Sequence, residues 1–211
     1  MQLISVNIGR EQVVEHNGFS DLTGILKTPV AGAVEITPWG LVGDAVVDTK
    51  HHGGVDQAVY IYGEPDYAWW SAQLGYELAP GTFGENLTIS GLESADLNVG
   101  DILHIGAVAL QVTAPRFPCA TLAARMGDAG FVKRFRAAGR PGAYCRVLSA
   151  GAVRAGDAVT LERYTGETLT IGEMHREHYN SQISAESIRR HLAAPIAERV
   201  RASIEKRRQE S

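Results

Sequence analysis

The 211-residue chain holds only two cysteines, Cys119 and Cys145. Two thiols make neither a disulfide framework nor paired Cys-x-x-Cys metal sites, and an iron–sulfur cluster takes about four thiolates, so the sequence predicts no cluster of its own. No apolar run approaches the roughly 18 residues that cross a bilayer. The amino end, MQLISVNIGR, lacks the charged start, long apolar stretch and small-residue cleavage site of a signal peptide, which leads to the expectation of a cytoplasmic protein without a membrane partner. No G-x-G-x-x-G follows a strand-like run, so a bound dinucleotide is not expected. Excess positive charge is also missing: the net charge of −4 argues against wholesale binding of nucleic acid, and any anion site must be built from a few placed residues.

What is present is an ordinary globular composition, 45% hydrophobic and 21% charged, enough for one sizeable core. Up to about residue 163, strand-like runs alternate with glycine-rich turns: LISVNI, GILKTPV, AVEITP, AVYIY, ENLTIS, DILHI, AVALQVT, AYCRVLS and AVTLER. So many short strands predict a closed or nearly closed β-structure. The Gly-Asp pairs in LVGDAVV, NVGDILHI and RAGDAVTL read as turn punctuation. Helical patches interrupt the strands around residues 64–75, where Trp69, Trp70 and Leu74 suit a buried face, and over 119–139. After about residue 168 glycine thins out and Ile188, Leu192, Ile196, Val200 and Ile204 form an apolar stripe, with Ser184 as an N-cap and Pro195 opening a helix. The predicted organisation is therefore a β domain over 1–168 and a helical segment over 169–211, whose stripe packs on the β domain or across a homodimer.

Three stretches could carry chemistry. KHHGGVDQAVYIY sets His51 and His52 before a Gly-Gly turn whose amides can bind an anion; adjacent histidines in a strand face opposite ways, and a plain hairpin with surface histidines explains the pattern equally well. GTFGENLTISG offers Glu85 and Asn86 at the entry to a strand, where Asn can meet a heterocycle edge or cap a turn. PRFPCATL puts Arg116 three residues before Cys119, a thiol placed to begin a helix, where amide dipoles and a guanidinium favour the thiolate. A lone cysteine is otherwise a small core residue, and Cys145 within AYCRVLS suits that inert description better.

Taken in order, KHHGGVDQAVYIY, FGENLTISG, GDILHIG, RFPCATLAARMG, FRAAGRPGAYCRVL and GAVRAGDAVTL resemble the MOSC domain family, named for the carboxyl-terminal domain of molybdenum cofactor sulfurase, over roughly residues 20–163. The helical segment resembles the three-helix extension of the bacterial YiiM-like branch. The resemblance implies a mainly β fold, a β-barrel with a few inserted helices and a small carboxyl-terminal helical appendage. It also implies a molybdopterin-type molybdenum cofactor, with Cys119 as the molybdenum ligand and a catalytic residue. Lys27, His51, His52, Gly54, Glu85, Asn86, Arg116 and Arg140 are then the candidates to grip pterin and phosphate.

The activity so implied is reduction of small N-hydroxylated compounds such as hydroxylated nucleobase analogues, a detoxification. With no cluster cysteines and no dinucleotide fingerprint, electrons are expected from a separate reductase, a flavoprotein. A cofactor carrier or sulfur-transfer protein, with Cys119 bearing a persulfide or escorting the cofactor, is the alternative. A thiol hydrolase with a histidine base is the weaker third reading, since no oxyanion-hole signature accompanies Cys119.

Overall fold

A computed structural model describes residues 1–47 and 53–210. In chain order it forms β1 (Leu3–Ile8), β2 (Gln12–His16), β3 (Phe19–Thr23), β4 (Thr28–Pro29), β5 (Val34–Thr37), β6 (Gly40–Leu41), β7 (Val59–Gly63) and α1 (Glu64–Leu74). Then follow β8 (Leu87–Ile89), β9 (Ile102–Ile105), β10 (Val108–Pro115), α2 (Ala120–Arg125), α3 (Phe131–Ala138), β11 (Ala143–Ser149), β12 (Gly151–Val153) and β13 (Thr160–Glu162). The chain ends in α4 (Ile171–His178), α5 (Ala185–Ala193) and α6 (Glu198–Glu210).

Eight strands join in one sheet in the order β13-β9-β10-β11-β7-β8-β1-β4, while β12-β5-β6 and β2-β3 form two smaller sheets. The expected closed barrel is corrected here. β13 and β4 end the large sheet, and the segment before β13 meets β1 through a single bridge, Gln2 to Ala158, with flanking bonds such as Leu3 N–H to the Asp157 carbonyl at 2.9 Å. Those bonds curl the sheet toward itself without completing a ladder. With six α-helices among the described residues, the fold is mixed α/β around a large sheet rather than mainly β. The expected helix over 119–139 breaks into α2 and α3 at Gly127–Gly130.

The structure also adds a hairpin. EHNGFS turns at Asn17 and Gly18, both with positive φ (49° and 82°), the backbone that a two-residue hairpin loop requires and that Asn-Gly supplies. Conversely, GILKTPV yields only the two-residue β4, because its earlier part leaves the sheet to line a cavity.

The inner faces of the strands, with Leu3, Ile36, Val59, Ile61 and Leu103 fully buried, make the main core. Leu169, Ile171, Met174, Ala194 and Ile196 of the carboxyl-terminal segment belong to that same cluster and Val200 packs against it, while Ile188 and Ile204 of the expected stripe are buried outside it. Each such aliphatic side chain contributes about 1.5–3 kcal/mol by leaving water. α4 begins with a capping box, Thr170 Oγ1 accepting from Glu173 N–H at 3.0 Å and the Glu173 carboxylate accepting from Thr170 N–H at 2.7 Å. Ser184 caps α5 as expected. A second, aromatic cluster gathers Tyr60, Tyr62, Tyr67, Trp70, Phe83 and Phe135 between α1, α3 and the sheet. No helix among the described residues is long and apolar enough to cross a membrane.

Candidate functional site

A cavity of about 370 Å³ opens where the strand ends and loops converge on the aromatic cluster. One wall carries Asp21 to Ile25 and Lys27; others carry Asp44 to Val47, Gly53, Gln57 and Tyr60; Gly84 and Asn86 form its floor with Arg116, Cys119 and Tyr144.

Its polar centre is a buried network on Asp44. The Lys27 ammonium pairs with the Asp44 carboxylate, both side chains more than nine-tenths buried. Asp44 also accepts from Gly9 N–H at 2.8 Å and from the Asn86 amide at 2.8 Å, and the Asn86 carbonyl accepts from Tyr60 N–H at 3.1 Å. Burial pulls the Lys27 ammonium below the usual lysine range, against the pull of Asp44 the other way. The 81–84 turn approaches this centre closely, which only glycine permits: a Cβ on Gly81 (φ 87°) would stand 2.6 Å from the Lys27 carbonyl, and one on Gly84 (φ 76°) 2.8 Å from Ile25. Arg125 fixes the same turn by donating to the Thr82 carbonyl at 2.6 Å and the Gly81 carbonyl at 3.1 Å.

Beside that network, β10 delivers Arg116 into the interior. Its guanidinium donates to the Phe83 carbonyl and lies 5.3 Å over the Tyr60 ring, while Nε makes no hydrogen bond. Burial works against the charge, but the phenols of Tyr60 and Tyr144 and the Cys119 thiol outweigh it and hold Arg116 above its ordinary value. Cys119 is the N-cap residue of α2, partly buried, and reaches the cavity. Cys145, by contrast, is fully buried in β11, and burial raises its thiol far above the usual range, leaving it inert.

Of the residues singled out in the sequence, Lys27, Asn86, Arg116 and Cys119 meet in this cavity. Gly54 adjoins the wall residue Gly53, both with positive φ. Glu85 is buried just behind it: Oε1 accepts from Tyr67 O–H at 2.6 Å, Gly81 N–H at 2.6 Å and Thr88 O–H at 2.8 Å, Oε2 has no partner, and burial raises its pKa. Arg140 is placed elsewhere, 2.6 Å from the buried carboxylate of Asp66 and over the Trp69 ring, away from the cavity lining. His51 and His52 lie outside the described residues. The sequence reading missed Asp44, taken as turn punctuation in LVGDAVV, and Tyr60 and Tyr144. By comparison, Asp101 of NVGDILHI runs straight into β9, whereas no strand follows Asp44 over residues 45–47.

The cavity lining thus combines two cations, Lys27 and Arg116, two carboxylates, Asp21 and Asp44, and one thiol, Cys119. Residues 48–160 match the MOSC domain. The chain is 33% identical over 207 residues to the uncharacterized protein YflK of Bacillus subtilis, covering 98% of this chain and 94% of that one. It is 33% identical over 143 residues to a protein named reductase from Gibberella moniliformis, covering 66% of this chain and 25% of that protein. The crystal structure of YiiM from Geobacillus stearothermophilus superposes with a TM-score of 0.81 at 28% identity, covering 98% of both chains. The six motifs, the match over 48–160 and the near full-length likeness to YflK establish that this chain belongs to the MOSC domain family.

Proposed function

We propose that this protein is a molybdenum-cofactor-dependent reductase of small N-hydroxylated compounds, converting R–NHOH, two electrons and two protons to R–NH2 and water. The observation that carries the reading is the meeting of Arg116, Lys27 and the Cys119 thiol in one cavity. The residues fit such a cofactor: Arg116 is a buried cation whose Nε still lacks an acceptor, suited to a phosphate, and Lys27 adds a second cation. Among the described residues no group of three or more His, Cys, Asp or Glu side chains could hold a metal ion, which suits a metal brought by its cofactor with Cys119 as its soft protein ligand. When bound, that cofactor supplies a two-electron redox centre.

The chain's own residues hold and shield. Lys27 and Arg116 bind the anionic end. Asn86 and Asp44 brace Lys27 and Tyr60, and Leu22, Ile25 and Val46 give the wall an apolar face for a flat substrate. Electrons come from a separate flavoprotein reductase. The reading is supported further by membership of the MOSC family and by likeness to a protein named reductase.

The test is molybdenum and pterin analysis of protein from a cofactor-competent host, with turnover of an N-hydroxylated purine by the reductase-coupled enzyme. Arg116→Met is expected to weaken cofactor retention about 10- to 100-fold, the value of a charge-assisted hydrogen bond of about 1.5–3 kcal/mol. Bound molybdenum without turnover would favour the carrier or sulfur-transfer role, and absence of molybdenum would overturn the proposal.

A further inference from the structure

The carboxyl-terminal helices reach both walls of the cavity without lining it. On one side, Phe117 stands between Arg116 and Cys119, in a stretch from the end of β10 to the start of α2 that belongs to no ladder or helix. Its ring stacks on His178, with centroids 3.7 Å apart and planes 22° from parallel, while His175 lies parallel at 6.0 Å and Tyr179 meets it edge-on at 6.1 Å. Two of these partners lie in α4 and Tyr179 caps its end; Arg136 covers the Tyr179 ring at 4.0 Å.

On the other side, Asp56 lies in the turn that carries the wall residues Gly53 and Gln57. One carboxylate oxygen accepts the N–H of Glu198, the first residue of α6, at 2.8 Å, and the other pairs with Arg146 at 2.9 Å. Arg146 also donates to the Ile196 carbonyl just before α6 at 3.2 Å, and Arg199 reaches Gln57 at 3.3 Å. Asp56 thus caps α6 from a distant part of the chain, where a carboxylate complements exposed helix amides. Ile171, Met174 and Ile196 sink into the main core, so these helices add a second fixed reference to the one the sheet gives, where Thr113 O–H donates to the Asp56 carbonyl at 2.6 Å and Arg116 donates to the Phe83 carbonyl.

We propose that the carboxyl-terminal helices are the positioning device of the cavity: α4 sets the cysteine loop through the Phe117–His178 stack, and α6 sets the glycine turn through Asp56. Neither Phe117 nor Asp56 need touch a ligand; they are positioning residues. The inference deepens the functional reading by naming what holds its thiol in place, and its test reads thiol and backbone directly, so it stands or falls apart from turnover.

The test uses the full chain. His178→Ala removes an exposed ring and leaves the cysteine loop's own sequence intact. Loosening that loop is expected to speed alkylation of the partly buried Cys119 by a bulky maleimide about fivefold, with buried Cys145 as the unreactive internal control and His178→Phe restoring the parent rate. Glu198→Pro deletes the N–H that Asp56 accepts while keeping a residue suited to the first helical position. It is expected to raise amide exchange across residues 57–60 about fivefold. An alkylation rate in His178→Ala within about twofold of the parent, the scatter of neutral surface changes, overturns the proposal for the cysteine loop, and exchange equally unchanged in Glu198→Pro overturns it for the turn.

Discussion

Asp44→Asn tests whether the network behind the cavity is held together by charge. The substitution keeps the shape and one acceptor oxygen but leaves the Lys27 ammonium without a counterion, at a place where the two side chains are only 8% and 6% exposed. Removing one partner of a buried pair costs about 3–5 kcal/mol. For a chain of this size that lowers Tm by about 6–20 °C. Lys27→Met combined with Asp44→Asn removes the stranded charge and is expected to recover most of the loss, since a buried pair replaced by apolar groups is close to neutral.

The pH dependence gives a second sign. Burial holds the folded pKa of Lys27 below 10.5, so between that pKa and 10.5 the unfolded chain binds the extra proton and stability rises with pH. Loss of Asp44, which raises the lysine's pKa, drops the folded value further. The variant's deficit should therefore shrink as pH climbs from its own folded pKa toward that of the parent. Calorimetry across neutral to alkaline pH reads both effects. A fall in Tm under about 3 °C, or a double variant no more stable than the single one, would refute the reasoning.

Gly142→Ala should cost about 2–5 kcal/mol, because φ is 67° and the new Cβ would stand 2.5 Å from the Tyr60 ring and 2.7 Å from that of Tyr62; wild-type denaturant stability in the variant would contradict this. Cys119→Ser should abolish reductase turnover with the fold intact, whereas Cys145→Ser should keep turnover and lose about 1–3 kcal/mol of stability for a hydroxyl placed in the core. Equal turnover losses at equal cofactor content would remove Cys119 from its role. His175, 1% exposed with no partner for Nε2, is held by burial at a pKa of about 4. Its contribution is fully present above 6.5 and drains as pH falls toward 4, so His175→Gln should flatten the stability profile in that window, and an unchanged acid slope would count against the assignment.

Local pattern accounts for what could be read in advance. LISVNI and AYCRVLS are strands over the expected residues because their own side chains bury against the sheet. Ser184 begins a helix because its hydroxyl meets an amide three residues on. The Asn17-Gly18 hairpin was equally local and was overlooked. What stayed hidden depends on partners far along the chain. Arg140 belongs to Asp66, 74 residues away, and no spacing rule announces that. Asp44 became the centre of the cavity only when Lys27, Gly9 and Asn86 converged on it from three separate segments. Barrel closure failed as an expectation for the same reason: alternation fixes which face of a strand is wet, but not whether the last strand finds the first.

Pairing β8 beside both β7 and β1 has a consequence for how the molecule comes into being. β8 runs parallel to β7, which demands a crossover through α1, and the ladders set Leu3 opposite Ile89 and Val59 opposite Cys145, each pair 86 residues apart. Chain entropy must be surrendered across these long loops before any strand pair returns energy, which places such topologies among slow folders. On a ribosome the cavity cannot close until β11 has emerged, and its outer supports arrive only with α6. Until β11 emerges, β7 and β10 present unpaired edges, so crowding and temperature during synthesis will govern the yield of this protein more than the stability of its finished core.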